Sequence, residues 1–427
     1  MSMDAPVPRR AGAPEGPLEI LFSFVMETPP RPDPDLRMLI RRCVHLCIEP
    51  GEALTLDIGD LLSGGIGVRA QSAWVARLPG QSEGIPLTIA QIELLGRVGD
   101  EFWIERVRVS AYASEADIDA LIERGLLISD DSAHAPHFAA DTILRKTNWF
   151  ASAAHLHTRS RWQGVDSRRD DPRRNGSVSL EQLVELQGPI PAHFHARCEP
   201  TSRLPLPRVE TGTVEELLKT RTTCRNFDLD QDLALPALAR ALKAVFGEHG
   251  LRQLATESFA VKKLSPSGGA LHPIEAYLIV QRVDGLEPGL YHYHVGDHAL
   301  EPLGALKPKA AREVAMLAVA GQEWFADAPV QIVLAARFQR NFWKYRNHAK
   351  AYRVIQLDAG HLSQNLFLIA AELGLGAFIT GAINEIDLEQ AFGLDAMSEG
   401  PICVIGLGAR ASEQVTVEFD PQGRVWK

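Results

Sequence analysis

Apolar residues recur along this chain in two rhythms. Over residues 17–80, short apolar runs alternate with Gly and Pro, which predicts strands and turns, among them a strand at Arg41–Ile48 and a turn at Ser63, Gly64 and Gly65. From Pro86 to Asp131 a helical spacing takes over. Ile89, Ile92 and Leu95 share one face, and Ser114 caps a second helix on which Ile118, Leu121 and Ile122 line up. Gly125 ends that helix ahead of the apolar Leu126, Leu127, Ile128 run. Helix, helix, strand predicts a winged-helix-like part at 84–134 within an N-terminal region spanning 17–150.

The flanks read differently. Residues 1–16 are rich in Pro, Ala and Gly and are expected to be a disordered tail. Residues 151–210, with many prolines and the clusters Arg168, Arg169, Asp170, Asp171 and Arg173, Arg174, read as a linker or extended segment. Beyond them Thr213 and Glu216 form a capping box ahead of Leu217 and Leu218, and Pro236 opens a helix carrying Leu238, Leu242 and Val245. A compact α+β domain is predicted over 211–427.

Composition narrows the partners. The 427 residues carry 44 Lys and Arg against 54 Asp and Glu, a net charge of -10, which argues against nucleic acid or an anionic membrane as the main partner. Between Glu83 and Asp131, eleven acidic side chains face four arginines. A winged helix of that balance repels phosphates and suits peptide or protein binding, or a purely structural role. The apolar stretch Leu366–Ile379 is broken by Glu372 and by glycines, well short of the roughly 20 residues that span a bilayer. Five cysteines, an odd number and mostly far apart, fit a reducing compartment, so a soluble cytoplasmic protein is expected.

Four patterns in the second half carry chemistry. Arg221, Thr222, Thr223, Cys224, Arg225 place two guanidiniums and two hydroxyls within five residues, a clamp for a phosphate monoester or a solvated basic helix end. Ser265-Pro266-Ser267-Gly268-Gly269-Ala270-Leu271-His272-Pro273 lets backbone approach a flat ligand closely, or makes a plain turn. Trp343 to Arg353 crowds cations around Lys344 and Tyr345, either of which can move a proton when its pKa is brought toward neutrality. Gly374 to Gly381 ends a long helix with amides free to face a cofactor. The Cys43, His45, Cys47 and His193, His195, Cys198 groups invite zinc. Cys43 and Cys47 on one strand would stand about 13 Å apart, too far for one tetrahedral ion, and no metal is expected.

Together these patterns resemble the nitroreductase superfamily, and within it the SagB-type thiazole/oxazole-forming peptide dehydrogenases. The similarity runs through Arg221–Phe227, Pro266–Pro273, Gly289–Tyr293 and Asp358–Asn365. It implies an FMN-binding nitroreductase-like fold over 211–427. Arg221, Thr223 and Arg225 would hold the phosphate, with Arg410 as a further contact. Pro266, Ser267 and Gly268 would border the flavin ring from the partner subunit of a homodimer, and Gly376 and Gly381 would lie near its reactive edge. The implied activity is two-electron oxidation of azolines in a ribosomally made precursor peptide, with dioxygen as final acceptor and Lys344 or Tyr345 as base. A cyclodehydratase or other maturation enzyme is the implied partner. A nitro or quinone reductase using NAD(P)H, or a flavin-free scaffold, are the alternatives. In the family the Lys-Tyr pair stands four residues before Tyr-Arg; here six separate Lys344 and Tyr345 from Tyr352 and Arg353, which would rotate the pair by about 200° if the stretch were helical.

Overall fold

The computed structural model describes residues 38–56, 58–167, 180–192, 194–207, 212–256 and 258–426. The expected tail 1–16, the Arg/Asp cluster at 168–174 and His193 lie outside the described residues.

The predicted strand at Arg41–Ile48 is two strands, β1 (Leu39–Arg42) and β2 (Cys47–Leu56), because His45 adopts a left-handed φ of 57° between them. Across α1 (Ile58–Leu62), β2 pairs antiparallel with β3 (Val68–Arg77), and β4 (Ile85–Leu87) adds a third strand. Then follow α2 (Ile89–Arg97), β5 (Ile104–Glu105), α3 (Arg106–Ser110), α4 (Glu115–Glu123) and β6 (Leu127–Ser129). Ser114 caps α4 as predicted, accepting from the Asp117 amide at 3.1 Å. On α2 the buried face is Gln91, Leu94 and Leu95, while Ile89 is 60% exposed. The Thr88 cap turns Gln91 inward, where its amide donates to Asp117. Strand β1 sits between β5 and β6, so the sheet beneath these helices takes its central strand from residues upstream of 84.

Residues 151–160, expected to begin an extended linker, form a helix. After α5 (Ala135–Thr147) and Trp149, α6 (Ala151–Ser160) buries Ala153, Ala154, His157 and Thr158. Small and polar residues on that inner face hide it from a hydropathy pattern. Trp149 is wholly buried, packs on Phe338 and Phe342 and donates to the Met397 carbonyl at 2.9 Å. The N-terminal region therefore shares a core with the C-terminal half.

Past α7 (Leu180–Gln187), the C-terminal half opens with α8 (Thr213–Lys219). Its cap is Gly212, whose N–H donates to Glu215, one residue ahead of the predicted Thr213–Glu216 box. Next come α9 (Leu235–Phe246) and the hairpin of β7 (Leu251–Ala255) and β8 (Ser258–Val261). Strands β9 (Ile274–Val280), β10 (Gly289–His294) and β11 (Ala299–Ala305) lead to α10 (Pro308–Ala318) and α11 (Glu323–Ala326). After these lie β12 (Val330–Arg337), α12 (Phe338–Phe342), α13 (Ala351–Glu372), β13 (Gly376–Thr380), α14 (Glu385–Phe392) and β14 (Glu399–Gly408). The antiparallel sheet runs β11-β10-β9-β12-β14-β13. Ile274, Ala276 and Leu278 point to a layer holding α9 and α13, and Tyr277 and Ile279 to one holding α10, α11 and α14. A sheet buried on both faces between helices is the mixed α+β architecture predicted for this half.

The segment after α6 is strapped to the start of α14. Amides of Trp162, Gly164 and Val165 donate to Glu385, Asp387 and Asn384 at 2.7–2.9 Å. Burial pushes the Glu385 carboxyl up to about 7, against the Trp162 amide, which pulls it down. The folded state therefore holds an extra proton between the ordinary value of 4.5 and about 7, and stability is lost as pH rises through that window. Glu385→Gln should flatten the fall in melting temperature between about pH 5 and about pH 8, read by thermal melts across pH.

Candidate functional site

Helix α13 organises one part of the site. Asp358, His361 and Asn365, spaced three and four apart, share a face. The Asp358 carboxylate accepts from Ser267 Oγ at 2.6 Å and from the Gly268 amide at 3.1 Å. His361 Nδ1 lies 3.3 Å from the Pro266 carbonyl, and Asn365 Nδ2 donates to Ser265 Oγ at 2.7 Å. Three side chains thus hold the Ser265–Gly268 loop against one helix. Burial raises the Asp358 pKa, opposed by these two donors. Arg340, from α12, donates to the Leu271 carbonyl on the far side of the loop.

The loop carries local strain. Ala270 and His272 have φ of 56° and 48°, conformations that a Cβ disfavours. Gly269, at φ 68°, needs its missing side chain for a second reason. A Cβ there would stand 2.7 Å from the Tyr345 hydroxyl and 2.9 Å from Lys344 Nζ. The second and third sequence patterns thus meet: both polar tips rest on the Gly-Gly turn. The stretch after α12 is a turn up to Ala351, not a helix, so the longer spacing from Lys344 to Tyr352 causes no helical rotation. Asn347 anchors that turn by donating to the Asn148 carbonyl at 3.1 Å. Arg346, Lys350 and Arg353 are exposed, while Tyr352 turns inward to His157 at 3.2 Å.

The arginine segment lies elsewhere on the same helix. It runs beside β13, with Thr223 bridged to Ala377 and the Cys224 amide donating to the Ala377 carbonyl at 2.8 Å. Arg221 and Arg225 are half-buried, and neither has an ion-pair partner among the described residues. Arg221 lies 5.2 Å over the Phe367 ring of α13. Nine residues separate Phe367 from Asp358, about 14 Å along the helix. Arg410 differs: it pairs with Glu418 at 2.6 Å and donates to Thr222 Oγ1 at 2.9 Å. Gly376 is buried, and a Cβ there would collide with Cys224 Sγ, whereas Gly381 is exposed with open space where a side chain would stand. Two free guanidiniums and the Thr223 hydroxyl fit a phosphate monoester, and the open backbone at Gly381 leaves room for a ring.

Part of the chain is similar in sequence to known proteins. Residues 218–409 match the sequence profile of the Nitroreductase family. That stretch of the chain is similar to a nitroreductase-family domain. It is 28% identical over 210 residues to a protein of Methanocaldococcus jannaschii named as a nitroreductase, covering 49% of this chain and 98% of that protein. It is 29% identical over 245 residues to the trifolitoxin-processing protein TfxB of Rhizobium leguminosarum bv. trifolii, covering 55% of this chain and 62% of the relative. It is 26% identical over 149 residues to the microcin B17-processing protein McbC of Escherichia coli, covering 34% and 53%. The chain thus spans less than two thirds of either peptide-processing relative.

Among the described residues no three His, Cys, Asp or Glu side chains gather as for a metal ion, and no helix is long and apolar enough to cross a membrane. All five cysteines are free thiols. Sequence reasoning missed Glu418, which stands in an unremarkable polar stretch, and His157, which looked like part of a linker. It also missed the buried Lys263 beside His272, whose pKa burial and Lys263 lower to about 4. Gly376→Ala should destabilise the domain by about 1–3 kcal/mol. Cys224→Ala should recover part of that loss in the double variant, a coupling measured by chemical denaturation of all four proteins.

Proposed function

We propose that this chain is an FMN-dependent dehydrogenase that desaturates a ribosomally made, modified peptide, converting azolines to azoles. The observation that carries the reading is the placement of Lys344 and Tyr345 against Gly269. Two side chains of types that can move a proton rest on the Gly-Gly turn, where only glycine leaves them room. Similarity to two peptide-processing proteins supports the substrate class.

Arg221, Thr223 and Arg225 would hold the phosphate, and Gly381 would border the ring. Pro266, Ser267 and Gly268 would do so from a second copy, since the loop and the arginine segment stand apart on α13. When bound, FMN supplies the two-electron acceptor for the hydride. The chain's part is to take the α-proton on Tyr345 or Lys344 as the hydride leaves the adjacent carbon, so that both hydrogens and the electron pair are accounted for and a ring double bond forms. The free thiols support action in the cytoplasm.

The acidic unit at 84–134 is proposed to dock a precursor peptide or a cyclodehydratase, raising the effective concentration of substrate at the site. Because its central strand is β1, surface substitutions test this better than deletion.

Co-expression with the precursor should lower the peptide mass by two hydrogens per modified site, read by mass spectrometry. Tyr345→Phe and Lys344→Ala should keep bound flavin and lose that shift; variants of both that stay active would move the base elsewhere. Gly269→Ala, which pushes the pair aside, should lower turnover by about tenfold or more while the protein stays folded. The reductase alternative predicts instead rapid flavin reduction by NADPH with nitroarene turnover, and the scaffold alternative a colourless protein.

A further inference from the structure

The segment after β14 is built around one buried carboxylate. Over residues 415–419, Val415, Val417 and Phe419 are each more than 80% exposed and Glu418 is turned inward with its side chain fully covered. Asn226 fixes the segment by accepting the Val415 and Thr416 amides on Oδ1 and donating to the Thr416 carbonyl. The chain then turns at Asp420, which accepts the amides of Arg424, Val425 and Trp426, and the turn brings Trp426 Nε1 within 2.9 Å of Glu418.

Donors from four directions converge on Glu418. The Arg225 amide donates at 2.6 Å, the Asn226 amide at 3.1 Å, Asn226 Nδ2 at 2.9 Å and Arg410 at 2.6 Å. Thr222 Oγ1 adds a longer contact of 3.4 Å. Burial alone would raise the Glu418 pKa, but the Arg225 amide, Trp426, Asn226 and Arg410 together hold it below the ordinary value. The carboxylate is therefore charged, and, Trp426 apart, every group it orders belongs to, or touches, the arginine segment.

We propose that Glu418 is the positioning residue of the phosphate clamp: it neutralises Arg410 and fixes the backbone at Arg225 and Asn226. A phosphate dianion then meets Arg221 and Arg225 as the two uncompensated cations. Arg410 is thereby a brace, not the further phosphate contact that the family resemblance suggests. The inference rests on the FMN reading and deepens it. Two free guanidiniums match the charge of about −2 on a phosphate monoester near neutral pH, whereas a third unpaired cation would have no counter-charge. With its carboxylate gone, Arg225 keeps its charge but loses the backbone geometry that aims it.

The test compares FMN with riboflavin, which differs only in lacking the phosphate. Dissociation constants are measured by flavin fluorescence quenching for the flavin-free wild-type protein, Glu418→Gln and Trp426→Phe, with a thermal melt of each. Glu418→Gln is expected to weaken FMN by about tenfold or more while riboflavin binding changes by less than about threefold. Trp426→Phe, which removes one donor and keeps the carboxylate, should weaken FMN alone and by less. Unchanged or tighter FMN binding in Glu418→Gln would overturn the proposal, since a freed Arg410 would then be gripping the phosphate. Equal weakening of both flavins would also overturn it, by showing a general structural role. Should Glu418→Gln fail to fold, Trp426→Phe decides by the same comparison. A wild-type protein that binds FMN no better than riboflavin would fail the clamp reading itself, whatever Glu418 does.

Discussion

A guanidinium removed from water needs an anion, and this chain treats three of them unequally. Arg410 is paired inside the protein by Glu418, while Arg221 and Arg225, half-buried a few residues apart, have no carboxylate among the described residues. Under the proposed function a phosphate dianion is the partner that completes them. On that imbalance rests the proposal that the C-terminal half holds a phosphate.

Helix α13 converts this charge feature into a site. Its Asp358, His361 and Asn365 hold the Gly-Gly loop, its Phe367 lies under Arg221, and the turn before it delivers Lys344 and Tyr345 to Gly269. The N-terminal region is part of the same mechanical unit. Trp149 fills the core beside Phe338, the Asn148 carbonyl pins the Lys344 turn, and His157 caps Tyr352. His157 is wholly buried, and desolvation lowers its pKa to about 3, so it serves as a neutral bridge between the two halves.

The residues that bind backbone were the most legible from sequence. The Ser114 cap and the Gly125 stop stand where local chemistry dictates them, whereas the amides expected to be free over Gly374–Gly381 belong largely to β13, which pairs with β14. What the sequence hid depends on distant partners. Helix α6 buries alanines and a histidine, which hydropathy counts as weak or polar, and only the Trp149 cluster makes them a core face. The strand at Arg41–Ile48 broke because His45 takes a left-handed turn that no propensity announces. Arg410 matched a family position, yet its role turned on Glu418, eight residues further along a stretch with no pattern. The Lys-Tyr spacing was ambiguous until the turn at 343–350 removed the helical constraint.

The most direct measurement is the flavin content of the purified chain, read from its absorbance spectrum against protein concentration, for the wild type and for a variant with both Arg221 and Arg225 changed to alanine. The account predicts a yellow wild type holding close to one FMN per chain and a folded, nearly colourless variant. A variant that keeps its flavin undiminished, or a wild type that takes up none when supplied with FMN, would contradict it.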